Sequence, residues 1–176
     1  MKSGRKTVFF IAVLFVWRLT ANPGGEEIVA GSCTFTRTAE QLTVCQQSNK
    51  AIINWQDFSI GEAETVNFCL PNANAAVLNR VVSGAVSSVS GLLKSNGQLF
   101  LINPNGIFIG PTGQIKTAGF FAATCRIADE AFLQGAFTLA TVDGATLVNQ
   151  GCVEAVGDIL FLASQIENSG TMRAEN

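Results

Sequence analysis

The sequence predicts an all-β chain wound as a parallel β-helix, and three observations carry that expectation. From Asn22 onward, short runs of β-branched and aromatic residues are bounded by Gly, Asn, Pro and Ser, and no three-turn stretch carries a helical apolar stripe. Some runs are apolar without interruption, as in Gln98-Leu99-Phe100-Leu101-Ile102 and Ile107-Phe108-Ile109, the pattern of strands covered on both faces. Weak repeats recur near 20 residues. Val148-Asn149-Gln150-Gly151-Cys152-Val153-Glu154-Ala155 lies on Glu167-Asn168-Ser169-Gly170-Thr171-Met172-Arg173-Ala174 at an offset of 19, with Asn, Gly and Ala in register. Asn96-Gly97-Gln98-Leu99 returns approximately as Thr112-Gly113-Gln114-Ile115 after 16 residues. Such spacings suit coils that cannot bury an apolar side alone but cover one another when stacked. A β-sandwich also fits short strands and turns, and stays open as the alternative.

The chain opens with an export signal. Lys2, Arg5 and Lys6 precede the apolar run Val8 to Trp17, which is half the length a membrane-spanning helix needs, and Leu19-Thr20-Ala21 offers a small-residue cleavage site. Residues 1–21 are therefore expected to be a signal peptide and residues 22–176 one domain, with no stable membrane span once the signal is removed. Cleavage removes four of the 11 basic residues and no acidic one, leaving seven against 13, a net charge of −6. The remaining length, with 48% hydrophobic and 14% charged residues overall, suits a single core.

Within the domain, Ile53 and Trp55 alternate, as do Phe58 and Ile60, but an odd interval separates the pairs, so the chain must bulge or bend near Gln56-Asp57. Trp55 and Phe58 read as core or as the cover of a β-helix end. Arg80, beside Asn79 in an apolar run, either faces solvent over its own stem or is paired. Asn103-Pro104-Asn105-Gly106 is a turn between two strands, in which Pro104 presets φ while Asn105 and Gly106 tolerate left-handed conformations. It is a corner needed for folding, an exposed contact, or both at once. Asp129 to Leu133 is the main helical candidate, with Asp129 suited to capping it. Export permits disulfides, but Cys33, Cys45, Cys69, Cys125 and Cys152 are odd in number. Most are expected to be small buried residues, with a Cys33–Cys45 bridge as the alternative.

Several chemistries are excluded or disfavoured. The absence of His removes Ser-His-Asp and Cys-His catalysis and leaves metal binding to Cys and carboxylates, whose spacings match no zinc or redox motif. Glu62 and Glu64 would share a face if extended, as a glycosidase pair might, yet they follow Gly61 and read as a solvated turn. Asp143 and Asp158 each neighbour a Gly and fit turns, without the repeated spacing of a calcium-binding roll. No basic stripe points to nucleic acid. The expectation is a non-enzyme with no catalytic residue, no cofactor and no metal.

Lys50-Ala51-Ile52-Ile53-Asn54-Trp55-Gln56-Asp57-Phe58-Ser59-Ile60-Gly61, Val66-Asn67-Phe68, Leu78-Asn79-Arg80-Val81 and the segment Gly97 to Gly110, in this order, closely resemble the N-terminal secretion domain of filamentous-haemagglutinin-like exoproteins, the two-partner secretion family, also called the haemagglutination activity domain. The resemblance runs from about Asn22 to Asn176. It implies a right-handed parallel β-helix with an N-terminal cap and short extra-helical β elements, exported to the periplasm, recognised by a cognate outer-membrane β-barrel transporter through its periplasmic domains, and released to the surface or medium. Asn103, Pro104, Asn105, Gly106 and Ile107 match the family's secretion motif, and Asn79 and Arg80 accompany it. Strand addition to the transporter is a physically reasonable binding mode.

The departures from the family are Leu70 before Pro71, Phe120-Phe121-Ala122-Ala123-Thr124 in place of an Ala-Ser-Thr ending, and the cysteines, which threaded chains generally lack. The chain stops at Asn176 within a repeat, which predicts a truncated β-helix with exposed edges, either marginally stable or self-associating. The second functional reading is a stand-alone surface adhesin that binds host or neighbouring-cell ligands, or a truncated remnant that is not secreted.

Overall fold

The computed structural model describes residues 23–136, 140–141 and 144–175. The expected signal peptide and Asp143 lie outside the described residues. Three sheets enclose the core. The first contains, side by side, β1 (Glu27–Ala30), β4 (Lys50–Trp55), β6 (Ala76–Val81), β9 (Gln98–Ile102), β12 (Gly119–Ala123) and β17 (Ile159–Leu162). The second is β7 (Ser87–Val89), β10 (Ile107–Ile109), β15 (Thr146–Asn149) and β18 (Gln165–Asn168). The third is β2 (Cys33–Arg37), β3 (Gln41–Gln46), β5 (Thr65–Cys69), β8 (Leu92–Ser95), β11 (Gln114–Thr117), β16 (Cys152–Ala155) and β19 (Thr171–Ala174). The chain visits the sheets in rotation, and nearly every pairing is parallel, which makes a parallel β-helix rather than a sandwich.

Stacking in register turns the alternating sequence into columns. Leu42, Val66, Leu93, Ile115 and Val153 are successive partners along the third sheet, and none is exposed. Each such side chain contributes roughly 1.5–3 kcal/mol on burial, available only because the coil above or below covers it. The repeat at offset 19 is a coil: Thr146 pairs with Gln165 and Cys152 with Thr171. The offset of 16 is not. Gln98 lies on the first sheet beside Ala76 and Gly119, whereas Gln114 lies on the third beside Leu92 and Cys152. That likeness reflects two corners of one coil with similar turn chemistry, not one position in two coils.

Glycine sets the spacing at the corner between the second and third sheets. A Cβ on Gly91 would strike the carbonyl of Gly61, on Gly113 that of Val89, on Gly151 that of Gly113, and on Gly170 that of Gly151. Coils approach there more closely than any side chain allows.

At the N-terminal end, β1 and β2 run antiparallel to β4 and β3 and cap the helix. Phe35, Trp55, Phe58 and Phe68 fill that end, with Trp55 edge-on to Phe35 at 6.0 Å and to Phe58 at 5.5 Å. β4 ends at Trp55 and the chain bends at exposed Gln56, so Trp55 and Phe58 both reach the interior despite the odd interval. β9 is covered on both faces: Leu99 and Leu101 face the inner core, while Phe100 and Ile102 join an outer cluster. β10 buries Ile107 and Ile109 but leaves Phe108 partly exposed.

That outer cluster seats α1 (Asp129–Gln134), which with β13 (Cys125–Arg126) and β14 (Ala140–Thr141) forms the excursion from the coil. Phe132 packs edge-on to Phe100 at 5.2 Å. The N-cap is Ala128, without a side-chain cap, and not Asp129 as the sequence suggests. The Asp129 carboxylate instead takes a hydrogen bond from Arg80 at 2.7 Å, a charged donor stronger than its own helix amides. The helix closes at Gly135, with φ at 75°, and Lys50 Nζ donates to the carbonyls of Phe132 and Leu133 at 2.9 and 2.7 Å, satisfying C-terminal acceptors.

All five cysteines are free thiols; Cys125 is buried and the other four are half-buried. Cys33 packs toward the inner core, whereas Cys45 alternates with buried Val44 and Gln46 and faces outward. The Cys33–Cys45 bridge is thus precluded, because its partners lie on opposite faces of one sheet. Leu160, Ile166 and Met172 are exposed on the outermost strands β17, β18 and β19.

Candidate functional site

The corner that joins β9 to β10 is assembled around a buried asparagine. Asn103 is wholly buried, and its Nδ2 donates to the Ala85 carbonyl and to Ser87 Oγ, both at 2.9 Å. Its Oδ1 accepts from the Asn105 amide at 2.9 Å and from Asn105 Nδ2 at 3.1 Å. The Gly106 amide donates back to the Asn103 carbonyl at 3.2 Å, closing a four-residue turn. One side chain therefore satisfies the turn and fastens it to the previous coil.

Only Gly106 in this turn takes a positive φ, 124°; Asn105, which could tolerate one, does not. The side-chain bond from Asn103 bends the chain before Asn105, and Gly106 completes the reversal. Ile107 is buried in the inner core. The motif is thus divided by depth. Asn103, Gly106 and Ile107 are buried, Pro104 is half-exposed, and Asn105 is exposed while Nδ2 donates to the Ser83 carbonyl at 2.8 Å.

Asn79 and Arg80 lie on β6 and point to opposite faces. Asn79 is fully buried, accepting from Trp55 Nε1 at 3.0 Å and donating to the Phe100 carbonyl at 3.3 Å. It spans three strands and offers nothing to a partner. Arg80 is on the outer face and is paired: Nε donates to Asn54 at 2.9 Å, and Nη1 to Asp129 at 2.7 Å and the Ile127 carbonyl at 3.2 Å. With the Arg80 side chain 20% exposed and that of Asp129 41%, the pair is only partly screened and ties α1 to the coil.

A groove of about 420 Å³ brings Arg80 and the turn together. Val82, Ser83, Pro104, Asn105 and Arg126 line it with Arg80. Sequence reasoning missed Arg126, whose strand β13 belongs to the excursion, and Asp129 as the partner of Arg80. It also missed Ser83, Ala85 and Ser87, although they sit about one coil before Asn103 and Asn105, the spacing that signalled the fold. Glu62 and Glu64 form the expected turn, with Glu64 Oε2 accepting from the Gly61 amide at 2.8 Å. Among the described residues, no group of three or more His, Cys, Asp or Glu side chains could hold a metal ion, and no helix is long and apolar enough to cross a membrane.

The fold is thus a capped parallel β-helix with a buried-asparagine corner beside an open groove. Residues 23–176 match the family model described as the TPS secretion domain. The chain belongs to the two-partner secretion domain family. It is 31% identical over 163 residues, 88% of its length, to a heme/hemopexin-binding protein of Haemophilus influenzae, and 40% identical over 103 residues to a second protein of that name and organism. It covers only 18% and 11% of those relatives. Its structure superposes on the crystal structure of the HMW1 secretion domain from Haemophilus influenzae with a TM-score of 0.80 and 36% identity, covering 85% of this chain and 41% of that one. By this family the chain is a secretion domain, and it spans less than a fifth of the curated relatives it matches.

Proposed function

We propose that this chain is the non-catalytic export module of a filamentous-haemagglutinin-like exoprotein, and that a cognate outer-membrane β-barrel transporter recognises it through the corner at Pro104 and Asn105 and the adjoining groove. The observation that carries this reading is the division of the motif: buried Asn103 fastens a corner whose Pro104 is half-exposed and whose Asn105 is exposed. A preorganised corner loses little conformational freedom on docking. Exposed Arg126 gives the groove a positive rim suited to carboxylate or carbonyl acceptors on the transporter's periplasmic domains, while Arg80 is held by Asp129. Export through residues 1–21, passage through the periplasm and delivery to the surface or medium complete the route, and adhesion to host or neighbouring cells belongs to the full exoprotein. The heme and hemopexin binding named for the relatives belongs to those proteins. The sequence has neither His nor Tyr, which leaves only Cys and Met among the usual axial haem ligands.

The test is secretion with the transporter co-expressed. Asn105→Ala and Arg126→Ala, both at exposed positions, should fold as wild type by circular dichroism yet accumulate in the periplasm. Wild-type levels of both folded variants in the medium would sink the reading.

A further inference from the structure

Cys45 and Cys69 are register partners on β3 and β5. Both face outward, since their neighbours Val44 and Phe68 point into the core, and both are half-buried and reachable. Neighbouring strands lie about 4.8 Å apart, which places the two Cα atoms within the roughly 4.4–6.8 Å that a disulfide spans. The pair occupies the last rung of its ladder, where β5 ends and the chain can adjust. The Cys45 thiol lies close enough to that of Cys69 to help raise its pKa. Asn67 Nδ2 also donates to Cys69 Sγ at 3.2 Å and orients it. No other cysteine is so placed: Cys33 faces inward, Cys125 is buried under the excursion, and Cys152 lies three strands away from β5 on the same sheet.

We propose that Cys45 and Cys69 are an oxidisable dithiol that closes, with a small disulfide oxidant such as oxidised glutathione, into a bond stapling two successive coils at the capped end. One protein thiolate attacks a glutathione sulfur, breaking the oxidant's S–S bond and releasing one glutathione thiol. The second then displaces the other glutathione from the mixed disulfide. One S–S bond forms, one breaks, and the two protein protons end on two glutathione thiols. The closed loop contains Trp55 and Phe58, so the bond holds the cap aromatics against fraying of β3 from β5. Burial, and secondarily Cys45 beside it, raises the Cys69 thiol above its ordinary value, so closure is slow near neutrality and quickens with pH.

The experiment incubates the whole purified chain with oxidised glutathione between pH 7 and 9 and maps disulfides by mass spectrometry after alkylation. The expected result is a Cys45–Cys69 peptide pair two hydrogens lighter, forming several-fold faster per pH unit. The urea midpoint should rise on closure and fall back with reductant, and outward-facing Cys69→Ser should show neither change while keeping its circular dichroism spectrum. Cys45 and Cys69 both remaining alkylatable in the folded, oxidant-treated protein, or a different pair forming, would overturn the assignment. A Cys45–Cys69 bond that leaves the midpoint unmoved would overturn the staple.

Discussion

Replacing Asn103 by alanine separates what the corner does for the fold from the export role proposed for it. The side chain is wholly buried and bridges two coils through Ala85 and Ser87 while ordering its own turn through Asn105. Alanine keeps none of these hydrogen bonds. At about 1 kcal/mol net for each of the three bonds to fixed groups, the loss is roughly 3 kcal/mol, and the stranded, buried Ser87 hydroxyl adds to it. With a urea slope of about 2 kcal/mol per molar, the unfolding midpoint should fall by roughly 1.5 M. Asn105→Ala loses bonds from an exposed side chain that water replaces, so its midpoint should move by less than about 0.5 M. The assay is equilibrium urea unfolding followed by Trp fluorescence, which reports the buried Trp55 at the capped end. Equal midpoints for Asn103→Ala and Asn105→Ala would refute the division of the motif by depth, because the two side chains would then be doing the same work.

Gly151→Ala should cost about 1–3 kcal/mol, since its Cβ meets the carbonyls of Gly110 and Gly113 across the coil boundary, and hydrogen exchange should rise first in β16 and β19. Burial pushes the Cys33 and Cys125 thiols up to about 11 from 9.0. Between those values the folded chain keeps protons that the unfolded chain has released, so the contribution of these thiols should be constant below about pH 9 and decline as pH rises toward 11, checked by urea midpoints of wild type against Cys33→Ser.

The excursion contributes one wall of the groove, through Cys125, Arg126 and Ile127. α1 brings Asp129 to Arg80, and β13 places Arg126 at the groove's rim. Lys50 and Phe132 fasten the helix to the coil, so the groove wall is anchored by both a polar cap and an apolar contact. A substitution that loosens α1 should therefore widen the groove without touching the turn.

Much of the architecture was legible in the residues themselves. Alternating and continuous apolar runs, the 19-residue offset, the phase break between Trp55 and Phe58 and the one-turn helix all express local geometry, which a period of two or a corner of Gly and Asn imposes on the chain wherever it lies. The motif Asn103 to Ile107 was legible for the same reason, as a turn. Depth was not. Whether Asn79 is inside and Arg80 outside depends on which face of β6 meets Trp55 and which meets Asp129, and these partners are 24 and 49 residues distant. Gly106 alone in its turn taking a positive φ, Asp129 turning its carboxylate to Arg80 rather than capping its helix, and Cys45 meeting Cys69 rather than Cys33 follow likewise from coil register. Sequence determined that the chain would coil and where it would turn; only the stacking decided which side chains satisfy the interior and which remain for a partner, because burial is a property of neighbours and not of the residue.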